Sequence, residues 1–208
     1  MNTAEAAKFN MIEQQIRPWE VLDPQVLHVL NTLSRADFVK DQYKGLAYAD
    51  CQIPLGNQTH MLPPVIEGRM LQALQIQKDD DILEIGAASG YISACLATLG
   101  KQVLSLDVHE QNLEFARQNI KQAGLDNVEF QQANGLTCDF PDNYDVIAVN
   151  GSVREVPESL LQALRQNGRL FIIVGRSPVM QALLVTRTGE AEWTKQSLFE
   201  TDLPALNV

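Results

Sequence analysis

The segment "DILEIGAASGY", residues 81–91, joins an apolar run to a turn of small residues. Gly86, Ala88 and Gly90 allow a tight turn and let a ligand approach the backbone closely. The first backbone N–H groups of a helix that follows such a turn have no partner within the helix, so they are free to bind a ligand. The turn is therefore a candidate binding site, and Ser89 within it is assigned to the same site.

Two acidic residues accompany the turn. Glu84 precedes it, and Asp107 follows Gly86 by 21 residues, at the end of the next apolar run. A carboxylate accepts hydrogen bonds, so Asp107 can hold both hydroxyls of a ribose, while the apolar Val108 beside it can cover an adenine ring. The pattern suits a nucleoside without phosphate.

Phosphate-bearing ligands fit the turn less well. A dinucleotide fingerprint needs G-x-G-x-x-G, whereas Gly86 is followed by alanine at +2 and tyrosine at +5. A nucleotide-triphosphate loop needs a lysine and a hydroxyl residue after its last glycine, and Gly90 is followed by Tyr91 and Ile92. Nicotinamide dinucleotides and nucleoside triphosphates are therefore both disfavoured.

The turn lies in a region where short apolar runs alternate with helical patterns, as in right-handed βαβ units. The predicted strands are Ile82–Ile85, Val103–Leu106, Val128–Phe130, Val146–Val149 and Leu170–Val174, with antiparallel edge strands around 180–186 and 193–199. The predicted helices lie around 90–99, 110–123 and 157–166. The sequence predicts an α/β, Rossmann-like fold with a mostly parallel sheet and helices on both faces.

The chain before residue 80 has a different pattern. The first ~50 residues are predicted to be helical, because the apolar residues Val26, Leu27, Leu30 and Leu33 recur at helical spacing. Asp23 is the predicted cap of this helix. Residues 50–64 contain three prolines and one glycine, which predicts a strand-like segment and a loop before a helix that starts near Pro64. We expect a single domain, with an N-terminal helical, substrate-side region at 1–79 and a cofactor-binding core at 80–208.

Composition narrows the class of protein. The chain has 16 basic and 26 acidic residues, a formal charge of −10, which disfavours nucleic acid as a partner. No stretch approaches the roughly 18 apolar residues of a membrane span, and the N-terminus lacks the pattern of a secretory signal. Cys51, Cys95 and Cys138 are expected to be free thiols in a reducing cytoplasm. The sequence indicates no metal site and carries no signal of oligomeric state.

The candidate site resembles the S-adenosylmethionine site of class I methyltransferases. Glu84, Gly86, Ala88 and Gly90 match their first motif, and Asp107 matches their ribose ligand. Where those enzymes usually have a middle glycine, this chain has Ala88, which adds a methyl group on the cofactor side.

Longer segments resemble the protein-L-isoaspartate O-methyltransferases, which repair damaged aspartyl residues by methylating the abnormal carboxyl group. They are "MIEQQIRPWEVLDPQVLHVLNTLSRADFV", "AYADCQIPLGNQT", "LEIGAASGY" and "YDVIAVNGSVREVPESLLQALRQNGRLFIIVG". They cover residues from about 11 to 175 in the family's order. The resemblance implies S-adenosylmethionine as cofactor and a protein or peptide as substrate.

The acceptor loop departs from the family pattern. The family's Gln-Thr pair is present as Gln58 and Thr59, but the family's serine is replaced by Met61 or Leu62, depending on the direction of counting. The resemblance places Gln58 on the substrate side and makes Thr59, His60 and Met61 the candidate catalytic residues. His60 either orients or deprotonates an acceptor, or is a solvent-exposed loop residue.

Two further segments differ from the family. Asn134-Gly135 stands where the family commonly has Asp-Gly beside the adenine, and asparagine can take part in adenine recognition through its amide. The loop "NGSVREVP" places Asn150, Ser152 and Arg154 on the substrate side. Arg154 either pairs with a substrate carboxylate or forms a surface salt bridge with a neighbour such as Glu155.

Three functions are compatible with these residues. The first is carboxyl methylation of damaged aspartyl residues, which needs no strong base because the acceptor is already anionic. The second is methylation of a small-molecule acceptor through the altered loops, and a hydroxyl acceptor would need a base such as His60. The third is cofactor binding without methyl transfer, which Ala88 and the loop "QTHMLPP" keep open.

Overall fold

In the computed structural model, which describes residues 3–137, 139–140 and 143–206, a seven-stranded sheet forms the centre of the protein. The strands of the described residues are β1 Ile53–Gly56, β2 Thr59–Met61, β3 Asp81–Ile85, β4 Gln102–Asp107, β5 Val128–Gln132, β6 Tyr144–Val153, β7 Leu164–Arg176, β8 Val179–Gly189 and β9 Glu192–Thr201. The order in the large sheet is β5-β4-β3-β6-β7-β8-β9. Strands β3 to β7 are parallel, and β8 and β9 are antiparallel. The predicted parallel sheet with antiparallel edge strands is confirmed.

Helices connect the strands and cover the sheet. The α-helices of the described residues are α1 Thr3–Asn10, α2 Pro24–Thr32, α3 Pro64–Leu74, α4 Tyr91–Leu99, α5 Glu110–Gln122 and α6 Glu158–Ala163. A π-helical segment, Met11–Ile16, continues α1, and 3₁₀ turns occupy Arg17–Trp19, Arg35–Phe38 and Asp41–Leu46. The predicted N-terminal helical region is therefore present.

The cap and the buried face of α2 follow the sequence pattern. Asp23 Oδ1 accepts hydrogen bonds from the backbone N–H groups of Gln25 at 2.7 Å and Val26 at 3.3 Å. These bonds satisfy two of the donors that a helix start leaves unpaired. Leu27 and Leu30 are buried, as is Val26. The predicted capped helix is confirmed.

The core lies on both faces of the sheet. Along β7, Leu170 and Ile172 belong to one cluster, while Phe171 and Ile173 belong to the other. This alternation follows from the period of two in a strand, and both faces are apolar because helices cover both. One cluster includes residues of α2, α3 and α4, and the other includes Leu160 of α6.

Two sequence predictions about elements were wrong. The predicted helix 157–166 ends at Ala163, because Leu164 already pairs with Tyr144 in the sheet. The predicted loop at 150–156 is partly strand, since β6 runs to Val153. Its extension has a partner that sequence reasoning did not assign, because Ser152 forms a parallel bridge with Ala205.

None of the described helices has the length and apolar composition needed to cross a membrane. Cys51 and Cys95 are free thiols, and Cys138 lies outside the described residues.

Candidate active site

The glycine turn joins β3 to α4 and is tied to the neighbouring strand. The N–H groups of Gly86 and Ala87 both donate to the carbonyl of Leu106, at 2.7 and 3.2 Å. Gly86 and Gly90 have φ of +93° and +80°, which a glycine adopts without steric cost. A Cβ on Gly90 would lie 3.1 Å from the Cα and Cβ of Ala116, so this glycine also lets α4 and α5 pack closely.

Ala88 takes a backbone conformation that favours glycine. Its φ is +49°, in the left-handed region, which costs a residue with a Cβ roughly 1–2 kcal/mol. Its N–H donates to Asp107 Oδ2 at 3.2 Å. The turn thus keeps the shape of a glycine turn although its middle residue is alanine.

Asp107 lies at the carboxyl end of β4 and faces the turn. It is 7% exposed, and its carboxylate accepts hydrogen bonds from His109 N at 2.9 Å and from Asn112 Nδ2 at 3.1 Å. The same Asn112 amide donates to Thr59 Oγ1 at 3.1 Å. Sequence reasoning missed Asn112, whose only signal was its position on the first turn of the helix that follows Asp107.

Glu84 does not line the site; it is buried behind the turn and contacts it through Asn150. The side chain is 0% exposed, and its carboxylate accepts hydrogen bonds from Ser93 Oγ at 2.5 Å, Ser105 Oγ at 2.6 Å and Asn150 Nδ2 at 2.7 Å. Burial raises the pKa of Glu84 to about 7, although these three hydrogen bonds act to lower it. Asn150 Nδ2 also donates to the carbonyl of Gly86 at 2.8 Å, so Glu84 positions the turn through Asn150.

A pocket that encloses about 600 Å³, open solvent included, opens above the turn. Its wall includes these residues of the predicted cofactor site: Gly86, Ala88, Asp107, Val108, Asn134 and Gly135. Asn134 Oδ1 accepts from the N–H of Leu136 at 3.0 Å, which shapes the turn beside the pocket. A Cβ on Gly135 would overlap the side chain of Ile85, so close packing requires this glycine.

Ser89 and Gly90 lie in the turn but not on the wall of this pocket. Ser89 is 2% exposed; its hydroxyl accepts from Tyr91 N at 3.4 Å, and its carbonyl accepts from Asn119 Nδ2 at 2.9 Å. The structure therefore places these two residues at the start of α4.

The β1–β2 hairpin forms the opposite wall. Gln58, Thr59, His60 and Leu62 line the pocket. His60 Nδ1 is buried and has no hydrogen-bond partner among the described residues. Met61, a predicted catalytic residue, does not line this pocket; it is 2% exposed and packs in the hydrophobic core because its side chain is apolar. It borders a smaller cavity that shares His60 and Ala88 with the pocket.

A buried ion pair holds this wall in place. Arg35 and Glu67 are both fully buried and pair through the Arg35 guanidinium. Arg35 also donates to the carbonyl of Ala47 at 2.7 Å and to that of Leu62 at 3.1 Å. Burial lowers the pKa of Arg35. The guanidinium has three polar partners within the core, the Glu67 carboxylate and the two carbonyls, and one of these carbonyls belongs to Leu62 on the pocket wall.

Besides Gln58, three residues between positions 150 and 154 were predicted on the substrate side, and they lie in different surroundings. Asn150 lines the pocket. Ser152 is 2% exposed, and its hydroxyl faces the carbonyls of Leu203 at 3.0 Å and Pro204 at 3.1 Å. Arg154 is exposed and lies outside the pocket wall.

The segment 203–206 closes the pocket, and sequence reasoning did not find it. Ser152 N donates to the carbonyl of Pro204 at 3.1 Å, and Leu206 N donates to the carbonyl of Ser152 at 2.8 Å. Pro204, Ala205 and Leu206 line the pocket. A Cβ on Gly86 would lie 3.0 Å from Leu206 Cδ1, so the segment packs directly against the turn. No polar or periodic pattern in the sequence marks this segment.

The site fits an adenosyl cofactor. The pocket joins a buried carboxylate at the end of β4, an apolar neighbour at Val108 and backbone in the glycine turn. No group of three or more His, Cys, Asp or Glu side chains that could hold a metal occurs in the part of the chain that the structure describes. The mostly parallel sheet and this site fit a class I methyltransferase, a class that uses S-adenosylmethionine.

Comparisons with known proteins identify the family. The family model for protein-L-isoaspartate(D-aspartate) O-methyltransferase (PCMT) matches residues 6–202. The protein-L-isoaspartate O-methyltransferase of Koribacter versatilis is 35% identical over 190 residues, 89% of this chain and 84% of the relative. Protein-L-isoaspartate O-methyltransferase 2 of Pelobacter propionicus is 35% identical over 191 residues, 90% and 84% of the two chains. The chain belongs to the protein-L-isoaspartate(D-aspartate) O-methyltransferase family.

The fold is also similar to a solved structure from that family. A crystal structure from Plasmodium falciparum, described as a protein-L-isoaspartate O-methyltransferase in complex with S-adenosyl-L-homocysteine, has a TM-score of 0.82 to this chain. It covers 100% of this chain and 99% of its own, at 19% identity. The shared fold extends over both the N-terminal helical region and the sheet.

Proposed function

We propose that the protein methylates the abnormal carboxyl group of isoaspartyl residues in damaged proteins and peptides. One observation carries this proposal: a single pocket has the turn and Asp107 on one side and the β1–β2 hairpin on the other. Two ligands, a methyl donor and an acceptor, can therefore meet between these walls. The relatives' names and the family match support isoaspartyl residues as the acceptor.

The residues on the cofactor side have separate tasks in this proposal. Asp107 binds the ribose hydroxyls, Val108 covers the adenine, and Asn134 and Gly135 border the adenine. The backbone of Gly86 and Ala88 approaches the remainder of the cofactor. When bound, S-adenosylmethionine supplies an electrophilic sulfonium methyl group.

The acceptor side needs little acid–base chemistry. A carboxylate is already nucleophilic, so the chain has only to align it with the methyl group and exclude water. Thr59 and His60 lie on the wall where the acceptor would enter, and Leu206 packs against the turn on another side. The absence of the family's loop serine, where Met61 and Leu62 stand, is compatible with such positioning.

A small-molecule hydroxyl acceptor is the second candidate. The observation that favours it is the buried, unpartnered Nδ1 of His60, because an alcohol or phenol needs a base to remove its proton. Replacing His60 with glutamine keeps a polar side chain but removes the base. Methylation of a carboxylate would retain most of its rate in this variant, whereas methylation of a hydroxyl would lose about 10²- to 10⁴-fold.

The test measures binding and transfer on one preparation. Calorimetry with S-adenosyl-L-homocysteine reports the cofactor site, and radiolabelled methyl transfer compares an isoaspartyl peptide with the same peptide containing normal aspartate. We expect binding, and transfer to the isoaspartyl peptide alone. Asp107→Asn, which keeps the shape and removes the charge, should weaken binding strongly. Binding without transfer to any peptide would overturn the repair function and favour a different acceptor or a cofactor-binding role.

We also propose a cytoplasmic location. The free thiols Cys51 and Cys95 support it, because free cysteines are typical of reducing compartments.

A further inference from the structure

A second, larger groove lies beside the active-site pocket. It encloses about 1010 Å³, open solvent included, and is formed by the ends of β6 and β7, the start of β8 and the segment 202–205. Gln52, Pro204 and Ala205 line both the groove and the active-site pocket. The two spaces therefore adjoin each other at this segment. In open α/β sheets, ligands bind at the carboxyl ends of the parallel strands, and the groove lies at the carboxyl ends of β6 and β7.

Two arginines line this groove. Arg154 follows the last residue of β6, and Arg176 is the last residue of β7. Val153 pairs with Val174, so the two arginines lie on adjacent strand ends. Both are exposed, and neither has an ion-pair partner within residues 3–137, 139–140 and 143–206.

Arg154 and Arg176 carry positive charge on a chain that is negatively charged as a whole. The formal net charge is −10, so an acidic peptide is repelled by the protein as a whole. One carboxylate in the groove, Asp202, accepts a hydrogen bond from Ser177 Oγ at 3.0 Å. The lining therefore has two guanidinium groups and one carboxylate, which gives the groove a formal net positive charge.

We propose that this groove binds the residues that flank the methylated position, and that it selects peptides with acidic residues there. This inference rests on the proposed function, because it assigns the acceptor peptide a path from the active-site pocket into the groove. Arginine suits the task, since its planar guanidinium forms paired hydrogen bonds with a carboxylate. Arg154 would then bind a flanking carboxylate of the peptide and not the methylated one.

The experiment uses peptides that differ only in the flanks. Each carries one isoaspartyl residue, with two glutamates, two glutamines or two lysines within three positions on either its N-terminal or its C-terminal side. Methyl transfer gives KM and kcat, and fluorescence anisotropy of labelled peptides gives binding without turnover. The variants are Arg154→Gln/Arg176→Gln and a control, Lys121→Gln/Lys195→Gln, which removes two positive charges from exposed positions outside the groove.

We expect glutamate on at least one side to lower KM by roughly three- to tenfold relative to glutamine, as befits two exposed charge pairs. The arginine double variant should lose this preference with kcat unchanged, and the lysine double variant should keep it. The preference should also weaken with salt, because the groups are exposed. Calorimetry with S-adenosyl-L-homocysteine should give the same affinity for all three proteins.

The outcomes separate the groove from the repair function. Equal KM and equal binding for all flanks, or a glutamate preference that survives in the arginine double variant, would overturn the groove. Methyl transfer to every peptide with no flank preference would leave the repair function intact. Transfer to none of the peptides would overturn the repair function, while the anisotropy measurement would still decide whether the groove binds acidic peptides.

Discussion

Replacing Glu84 with glutamine tests whether folding raises the pKa of this buried side chain. The pKa of Glu84 is about 7 against an ordinary value of 4.5, mainly because the side chain is fully buried. The folded protein therefore binds this proton more tightly than the unfolded chain does. The resulting stabilisation is fully present below about pH 4.5 and is lost as the pH rises through 7.

The magnitude follows from these two pKa values. Between pH 5 and pH 8 the wild-type protein should lose about 2.5 kcal/mol of unfolding free energy through this group. Glutamine has no such proton to lose. Its amide can donate to the hydroxyls of Ser93 and Ser105 while its oxygen accepts from Asn150, so the variant retains hydrogen-bond partners.

Urea unfolding at pH 5 and pH 8 measures this effect. The unfolding free energy of Glu84→Gln relative to wild type should rise by about 2.5 kcal/mol from the lower to the higher pH. Glu129→Gln, at an exposed position of β5, is the control and should show no comparable change. If the difference between wild type and Glu84→Gln is the same at both pH values, Glu84 does not keep its proton on folding and the reasoning is refuted.

Substitutions at three further positions test the turn and the closing segment. Ala88→Gly should change the unfolding free energy by less than about 1 kcal/mol, because the relief of left-handed strain offsets the added freedom of the unfolded chain. Ala88→Val should lower it by about 2 kcal/mol or more. Equal unfolding free energies for the two variants would contradict the strain at this position. Gly90→Ala should lower the unfolding free energy by roughly 1–3 kcal/mol, because φ is +80° and Ala116 is close; an unchanged melting temperature would mean that α5 moves freely. Ser152→Ala should lower the unfolding free energy by about 1 kcal/mol. It should also weaken the binding of S-adenosyl-L-homocysteine in calorimetry, because the segment 203–206 loses its hydrogen bonds to the hydroxyl. Unchanged affinity would mean that this segment does not contribute to cofactor binding.

Much of the sheet could be predicted because its strands are short apolar runs bounded by turns. Buried parallel strands must be apolar on both faces, so β3, β4 and β6 stand out in the sequence. The prediction was wrong where strand pairing overrides local pattern. The segment "LRQNG" at 164–168 is polar enough to resemble the end of a helix, but Leu164 pairs with Tyr144 and β7 begins there.

The places of the predicted site residues follow most directly from the sequence where one short segment determines the geometry. Gly86 and Asp107 lie on the pocket wall, as their positions at strand ends implied. Glu84 and Ser152 do not line it, because both are buried. Their hydrogen bonds to Asn150 and to the segment 203–206 join residues that are distant in sequence. Contacts of that kind depend on the tertiary fold and leave no periodic signal.

The side-chain amide of Asn112 bridges the two walls of the pocket. It donates both to the carboxylate of Asp107 and to the hydroxyl of Thr59. A ligand that draws the carboxylate away changes how firmly the hairpin is held, and a ligand that moves the hairpin changes the carboxylate in return. Thermodynamic reciprocity requires the two effects to be equal in free energy. The affinity for one ligand should therefore depend on whether the other is already bound, and the amide of Asn112 would carry this coupling between the two walls.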